Sequence, residues 1–163
     1  MIRRARARDL DAIVALENAS FRGDRITRRS FRHQLAGTGG TILVDVERGR
    51  VRGYVLLFLR AASTVARLYS IAVDAGARGR GIGRRLLVGA EREAIRRGRA
   101  VMRLEVRKDN AASFALFRTA GYREFAEKDD YYEDGMSALR FEKVLRRAVR
   151  ARGRGTTSGR KAA

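Results

Sequence analysis

Apolar residues recur either at alternating positions or on one helical face through the first 144 residues, and the switches between the two periods outline the elements. Residues 2–6 read as a short strand. Leu10, Ile13, Val14 and Leu16 then follow helical spacing, with Asp9 before them as the expected N-cap. Residues 21–25, which include Gly23, predict a polar turn, after which Thr27 caps a second helix carrying Phe31 and Leu35 and ended by Gly37, Gly39 and Gly40. Residues 41–47 and 51–61, rich in β-branched and aromatic side chains, flank Arg48-Gly49-Arg50 and predict an antiparallel pair, and residues 67–73 form a third such run. From Gly81 the period becomes helical, with Ile82, Leu86, Leu87, Ala90, Ala94 and Ile95 on one face and Gly98 closing it. Residues 101–106 have the character of a buried strand and 111–120 of a short helix stopped by Gly121. Residues 122–132 and 136–144 predict a final hairpin around Glu133-Asp134-Gly135.

The pattern stops at Val144. Beyond it Arg146, Arg147, Arg150, Arg152, Arg154, Arg160 and Lys161 contribute seven positive charges with no acid, so residues 145–163 are expected to be a disordered basic tail behind a single domain, 1–144. The chain carries a formal +19, of which +12 remains on residues 1–144 once those seven are removed. Nearly all of it is arginine, whose paired donors suit phosphate, although the bias also fits a genomic preference in base composition. No apolar run approaches the roughly 18 to 20 residues of a membrane helix. Residues 51–62, for example, are interrupted by Arg52 and Arg60, and the basic start lacks the apolar run of a secretory signal, so no membrane association and a cytoplasmic location are expected. The absence of cysteine excludes disulfides, thiolate metal sites and a cysteinyl acyl intermediate. With one histidine, His33, on a polar helix face, no metal centre is expected.

The candidate chemistry lies in the strand, loop and helix of residues 68–87. Gly79, Gly81 and Gly83 let a backbone approach a ligand closely, and the free N–H groups of the following helix point at whatever sits there. A diphosphate suits such a place, with Arg78, Arg80 and Arg84 adding charge-assisted bonds. The loop lacks both the Gly-Lys-Ser/Thr of a P-loop and the glycine spacing of a Rossmann turn. Instead, Arg78-Gly79-Arg80-Gly81-Ile82-Gly83 resembles the Arg/Gln-x-x-Gly-x-Gly/Ala coenzyme A loop of GNAT acetyltransferases. A second block, running from Leu104-Glu105-Val106-Arg107 through Asn110 to Leu116-Phe117 and Gly121-Tyr122, is similar to that of the bacterial ribosomal-protein alanine acetyltransferases in this family. The resemblance covers about residues 1 to 144. It implies an α/β (α+β) fold, with a mixed, mostly antiparallel central sheet of about six to seven strands flanked by about four helices. It also implies acetyl-coenzyme A as co-substrate and direct acetyl transfer to a primary amine, foremost the N-terminal α-amine of a protein or peptide.

Residue by residue, the resemblance implies that backbone groups of Ile71, Ala72 and Val73 hold the pantetheine arm, that Arg78, Gly79, Gly81, Gly83 and Arg84 hold the diphosphate, and that Asn110 contacts the arm. Glu105 matches the family's general base; the plain alternative is an ion pair with Arg103 or Arg107. The chain departs from the pattern at Phe117, where a tyrosine usually protonates the leaving thiolate and where phenylalanine has no proton to give. Phe117 can still pack near the sulfur. Tyr131 and Tyr132 in the final hairpin are candidate replacements, alternatively contacts for an acceptor peptide or simply amphipathic surface residues. Other acceptors (a lysine side chain, a polyamine, an aminoglycoside), a non-catalytic coenzyme A sensor, and a weak nucleic-acid or ribosome contact through the tail stay open.

Overall fold

In the computed structural model, which describes residues 1–37 and 39–145, the alternating runs become β1 (Ile2–Arg4), β2 (Gly40–Glu47), β3 (Arg50–Phe58), β4 (Val65–Val73), β5 (Val101–Arg107), β6 (Arg123–Lys128) and β7 (Ala138–Val144). They form one sheet in the order β1-β2-β3-β4-β5-β7-β6. Only β4 and β5 pair in parallel. The helical runs become α1 (Leu10–Ser20), α2 (Arg28–Ala36), α3 (Ile82–Arg96) and α4 (Ala111–Thr119), so the mixed sheet with four helices is observed. The expected tail beyond Leu145 lies outside the described residues.

The two periods also decide the layers. Leu10, Ile13 and Leu16 of α1 and Phe31 of α2 bury against Ile42, Val44, Tyr54, Leu56 and Ala72 on one face of the sheet. On the other face, Ile82, Leu86, Leu87, Ala90 and Ala94 of α3 bury against Leu43, Val55, Leu57, Leu68, Met102 and Phe141. A Cβ at Gly53 would sit 2.9 Å from Leu86 Cδ1 and 3.0 Å from the Ala72 carbonyl, so the missing side chain lets α3 lie close on β3. Between β2 and β3, Glu47 pairs with Arg50, and the two residues inside the turn, Arg48 and Gly49, have φ of 49° and 76°, the primed-turn geometry that suits a hairpin's twist.

Several local expectations are corrected. Asp9 makes no cap bond to α1; its carboxylate accepts from the Arg6 N–H at 2.7 Å and from Arg3 at 2.7 and 3.0 Å, closing the 3-10 turn Ala7–Asp9 ahead of the helix. The Arg3 bond, opposed by burial and supported by the Arg6 N–H, holds the Asp9 carboxyl below the usual range. Ile95 is exposed rather than on the buried stripe of α3. Strand β5 is buried on one side only, alternating Met102, Leu104 and Val106 inward with Arg103, Glu105 and Arg107 outward. The last hairpin has shorter strands than expected, which leaves Tyr131 and Tyr132 in its connecting loop.

One buried polar network ties the first layer together. Glu17, 2% exposed, accepts from the Ile26 N–H at 2.9 Å and from the Tyr54 hydroxyl, whose oxygen also lies 2.9 Å from Ser70 Oγ. Burial, and then the neighbouring Glu17, push the Tyr54 phenol pKa far above its ordinary value. Tyr54→Phe removes a donor from a carboxylate that water cannot reach, at an expected cost of about 1–3 kcal/mol. Urea unfolding measures it as a lower midpoint at unchanged slope; a variant as stable as the parent would show that Tyr54 does not satisfy Glu17.

Candidate active site

The site begins where two parallel strands stop pairing. The β4–β5 ladder consists of Val65↔Val101, Ala66↔Met102 and Arg67↔Arg103, yet β4 continues to Val73 and β5 to Arg107. The ladder lapses where β4 carries a bulge: Leu57 pairs with Leu68 and Leu56 with Ser70, leaving Tyr69 unpaired and bending the strand. Beyond it, the Asp74 N–H donates to the Arg52 carbonyl at 2.7 Å and Ala72 is registered with Tyr54. Ala72 and Asp74 therefore direct their backbone groups toward β3, while those of Ile71 and Val73 face the gap toward β5. An extended, amide-bearing chain laid in that gap would find the donors and acceptors of a strand edge.

At its end β4 runs through the 3-10 turn Ala75–Ala77 into the glycine loop. Gly79 and Gly81 adopt φ of 78° and 74°, which only glycine takes without strain, and Gly81 occupies the N-cap of α3 with no side chain to cover it. The bond from the Arg85 N–H to the Gly81 carbonyl opens the helical ladder, so the N–H groups of Ile82, Gly83 and Arg84 have no intrahelical acceptor. Arg78, Arg80 and Arg84 are exposed, and none forms an ion pair among the described residues. A diphosphate fits this set of donors. A Cβ at Gly83 would approach Leu116 of α4 at 3.6 Å and Val73 at 3.8 Å, so these three residues narrow the mouth of the gap. Two residues missed in the sequence brace the loop: Arg85 donates to the Arg80 carbonyl at 3.0 Å and lies 3.6 Å from the fully buried Asp45.

Asn110 caps α4 by accepting from the Ser113 N–H at 3.1 Å, which leaves its amide NH₂ as the group available to a ligand. Phe117 is 2% exposed, and its ring lies 5.5 Å from that of Tyr122.

Glu105 does form ion pairs, but with other partners than expected. Arg67 Nη2 donates to its carboxylate at 3.0 Å and Arg140 Nε lies 3.4 Å away, whereas Arg103 pairs with Glu142 and Arg107 with Asp109 and Asp134. The same Arg67 nitrogen donates to the Tyr131 hydroxyl at 3.1 Å, so one guanidinium joins two of the three candidate catalytic side chains. Burial alone would lower the Arg67 pKa; the charges of Glu105 and Tyr131 reverse this and raise it. Tyr132 packs edge-on against Tyr131, with ring centres 5.0 Å apart. Burial, followed by the Tyr131 and Glu105 charges, pushes its phenol up to about 12, so it keeps its proton at neutral pH. Arg107 anchors this loop through Asp134 at 2.6 Å, and the Glu133 N–H donates to Asp24 at 3.3 Å, bridging to the loop after α1. Arg67 lay outside both motifs, and only the tertiary register of β4 against β5 brings it to Glu105.

A pocket of about 300 Å³ next to Tyr69 is walled by Ile26, Leu56 and Phe58. A larger cleft of about 980 Å³ lies between α1 and the β2–β3 turn and meets the glycine loop only at its start, through Val73–Ala75 and Arg78. Neither cavity is lined by Glu105, and the larger one reaches the β4–β5 gap only at Val73. Among the described residues no group of His, Cys, Asp or Glu is arranged to hold a metal ion, and no helix is long and apolar enough to cross a membrane.

Residues 10–122 match the Acetyltransferase (GNAT) family. Over 67 residues the chain is 42% identical to the ribosomal protein bS18-alanine N-acetyltransferase of Escherichia coli (strain K12), a match covering 41% of this chain and 45% of that protein. Over 66 residues it is 44% identical to the N-alpha-acetyltransferase RimI of Mycobacterium tuberculosis, covering 40% and 39%. Each match thus spans less than half the length of the relative. The fold superposes on the crystal structure of the ribosomal-protein-S18-alanine N-acetyltransferase from Escherichia coli with a TM-score of 0.81 and 26% identity, covering 93% of this chain and 97% of that one. The family match and the opened strand pair leading into the glycine loop agree, and the chain belongs to the acetyltransferase (GNAT) family.

Proposed function

We propose that this protein transfers the acetyl group of acetyl-coenzyme A by direct attack of a primary amine, with the N-terminal α-amine of a protein or peptide as preferred acceptor. The observation that carries the reading is the lapsed β4–β5 ladder, which leads into a helix N-terminus flanked by left-handed glycines and free arginines. The names of the bacterial relatives favour the α-amine over other amines. A cytoplasmic location goes with it.

When bound, acetyl-coenzyme A supplies an acyl group activated as a thioester. The backbone of Ile71 and Val73 binds the pantetheine amides as a neighbouring strand would, with Ala72 contributing only by packing, and the Asn110 amide adds a donor. Arg78, Arg80, Arg84 and the N–H groups at the start of α3 bind the diphosphate, while Gly79, Gly81 and Gly83 keep the approach open. Glu105, held by Arg67 and Arg140, accepts the proton lost by the attacking amine, directly or through water. Tyr131 or Tyr132 returns a proton to the thiolate side, the role that Phe117 lacks the hydroxyl to fill.

Phe117→Tyr is expected to raise turnover by less than about tenfold, below the usual range for general acid catalysis, because a thiolate is a good leaving group and Tyr132 already carries a proton. Thiol release by the variant and by Tyr131→Phe and Tyr132→Phe checks this. If both tyrosine deletions are silent and Phe117→Tyr is no faster, protonation does not limit the rate. The function itself is tested by thiol release with free N-terminal peptides, Nα-blocked lysine peptides, polyamines and aminoglycosides. Turnover is expected with the first class, and coenzyme A binding without thiol release on any amine would make the protein a sensor.

A further inference from the structure

On the sheet face away from α3 and α4, α1 and α2 pack over β2, β3 and β4, and the strands beyond them present charge. Arg103 is registered with Glu142 and Glu105 with Arg140 across β5 and β7, Arg123 of β6 lies opposite Glu142, and Arg67 of β4 lies opposite Arg103. Four guanidiniums thus share two carboxylates. Arg67 and Arg140 reach Glu105 at 3.0 and 3.4 Å, and Arg103 and Arg123 reach Glu142 at 3.1 and 2.7 Å. Phe125 is engaged by the same group, with the Arg103 and Arg140 guanidinium carbons 5.2 and 5.1 Å from its ring centre.

Stability gives little reason for this arrangement. Like charges directly opposite each other, as Arg67 and Arg103 are, destabilise a strand pair, and ion pairs of this exposure add little. The side chains of Arg67, Arg103 and Arg140 are 43%, 43% and 37% exposed, although Arg67 Nε itself is buried without a partner. The surplus positive charge begins at Glu105 and runs outward from it.

We propose that this face binds acidic side chains of the acceptor itself, so that the preferred substrate is an N-terminal segment bearing Asp or Glu about two to four residues after the acetylated one, given a rise of about 3.3 Å per extended residue. The inference rests on the function proposed above and names its substrate class. A polypeptide fits better than a nucleic acid because the Phe125 ring is engaged by two guanidiniums and the exposed Tyr69 ring by Arg67 and Phe58, whereas reading single-stranded bases requires open aromatic faces.

The test is acetylation of three peptides that share their first two residues and carry acidic, neutral or basic side chains at the next three. The acidic peptide is expected to exceed the neutral one about tenfold in kcat/KM, with the advantage shrinking as salt rises. The Arg103 side chain bonds Glu142 and not Glu105, and Glu142 keeps Arg123, so Arg103→Gln is expected to cost the acidic peptide about fivefold while leaving the neutral one unchanged. Arg103→Glu should move the preference toward the basic peptide, which a purely structural residue would not do. Equal or better turnover of neutral or basic peptides by the wild type overturns the proposal, and that ranking stands even if a variant fails to fold. Inhibition by single-stranded RNA without any preference for acidic peptides would also overturn it, assigning the face to nucleic acid. Failure to acetylate any peptide, with small amines accepted, would reject the α-amine reading as well, a result separable from a mere change of ranking.

Discussion

Replacing Gly81 with valine is expected to weaken coenzyme A binding by about ten- to a hundredfold, because a β-branched residue held at φ of 74° carries roughly 1–3 kcal/mol of strain. The loop relieves that strain by turning, which moves the N–H groups of Ile82, Gly83 and Arg84 off the diphosphate. A clash is not the cause, since the nearest atom to a Cβ there is Arg85 Nη1, 3.7 Å away. The core face of α3 is unchanged by the substitution, so the fold is expected to survive, as thermal unfolding would show. Calorimetric titration with coenzyme A measures the loss; undiminished affinity would remove the loop from the binding site.

Glu105→Gln is expected to lower turnover about a hundredfold or more while leaving coenzyme A affinity within about twofold, because a base acts on the attacking amine and not on the bound nucleotide. Glutamine keeps the shape and one acceptor oxygen, enough for Arg67 or Arg140 but not for both, and it accepts no proton. Since the carboxylate is shared by two cations, a purely structural role would instead appear as lost stability with turnover intact. Steady-state rates with a peptide acceptor, taken from pH 6 to 9 beside unfolding midpoints, separate the two; wild-type rates throughout that range would exclude Glu105 as the base.

What could be read from the sequence was local. Thr27 caps α2 through the Ser30 N–H as expected, and Gly81 and Gly83 stand at the start of α3. Such features depend on neighbours a few residues away. Tyr131 and Tyr132 suit a strand by their aromatic content, yet β6 ends at Lys128 and they lie in the loop that the Asp134 bond to Arg107 anchors. Asp9 has the composition of a helix cap, but Arg3 and the Arg6 N–H claim its carboxylate first. The partners of Glu105 were out of reach for a different reason. Arg67 and Arg140 precede and follow it by dozens of residues, and nothing short of the sheet register brings them together. The opened β4–β5 ladder was equally hidden, since no residue type marks the point where two strands part.

The central claim is that this chain moves an acetyl group from acetyl-coenzyme A onto an α-amine. It is tested most directly with a peptide carrying both a free N-terminus and an internal lysine, incubated with protein and acetyl-coenzyme A and then fragmented in a mass spectrometer. The account predicts one added acetyl group, located on the first residue, with free thiol released in equal amount. An acetyl group on the lysine, or no modified peptide although coenzyme A binds, would contradict it.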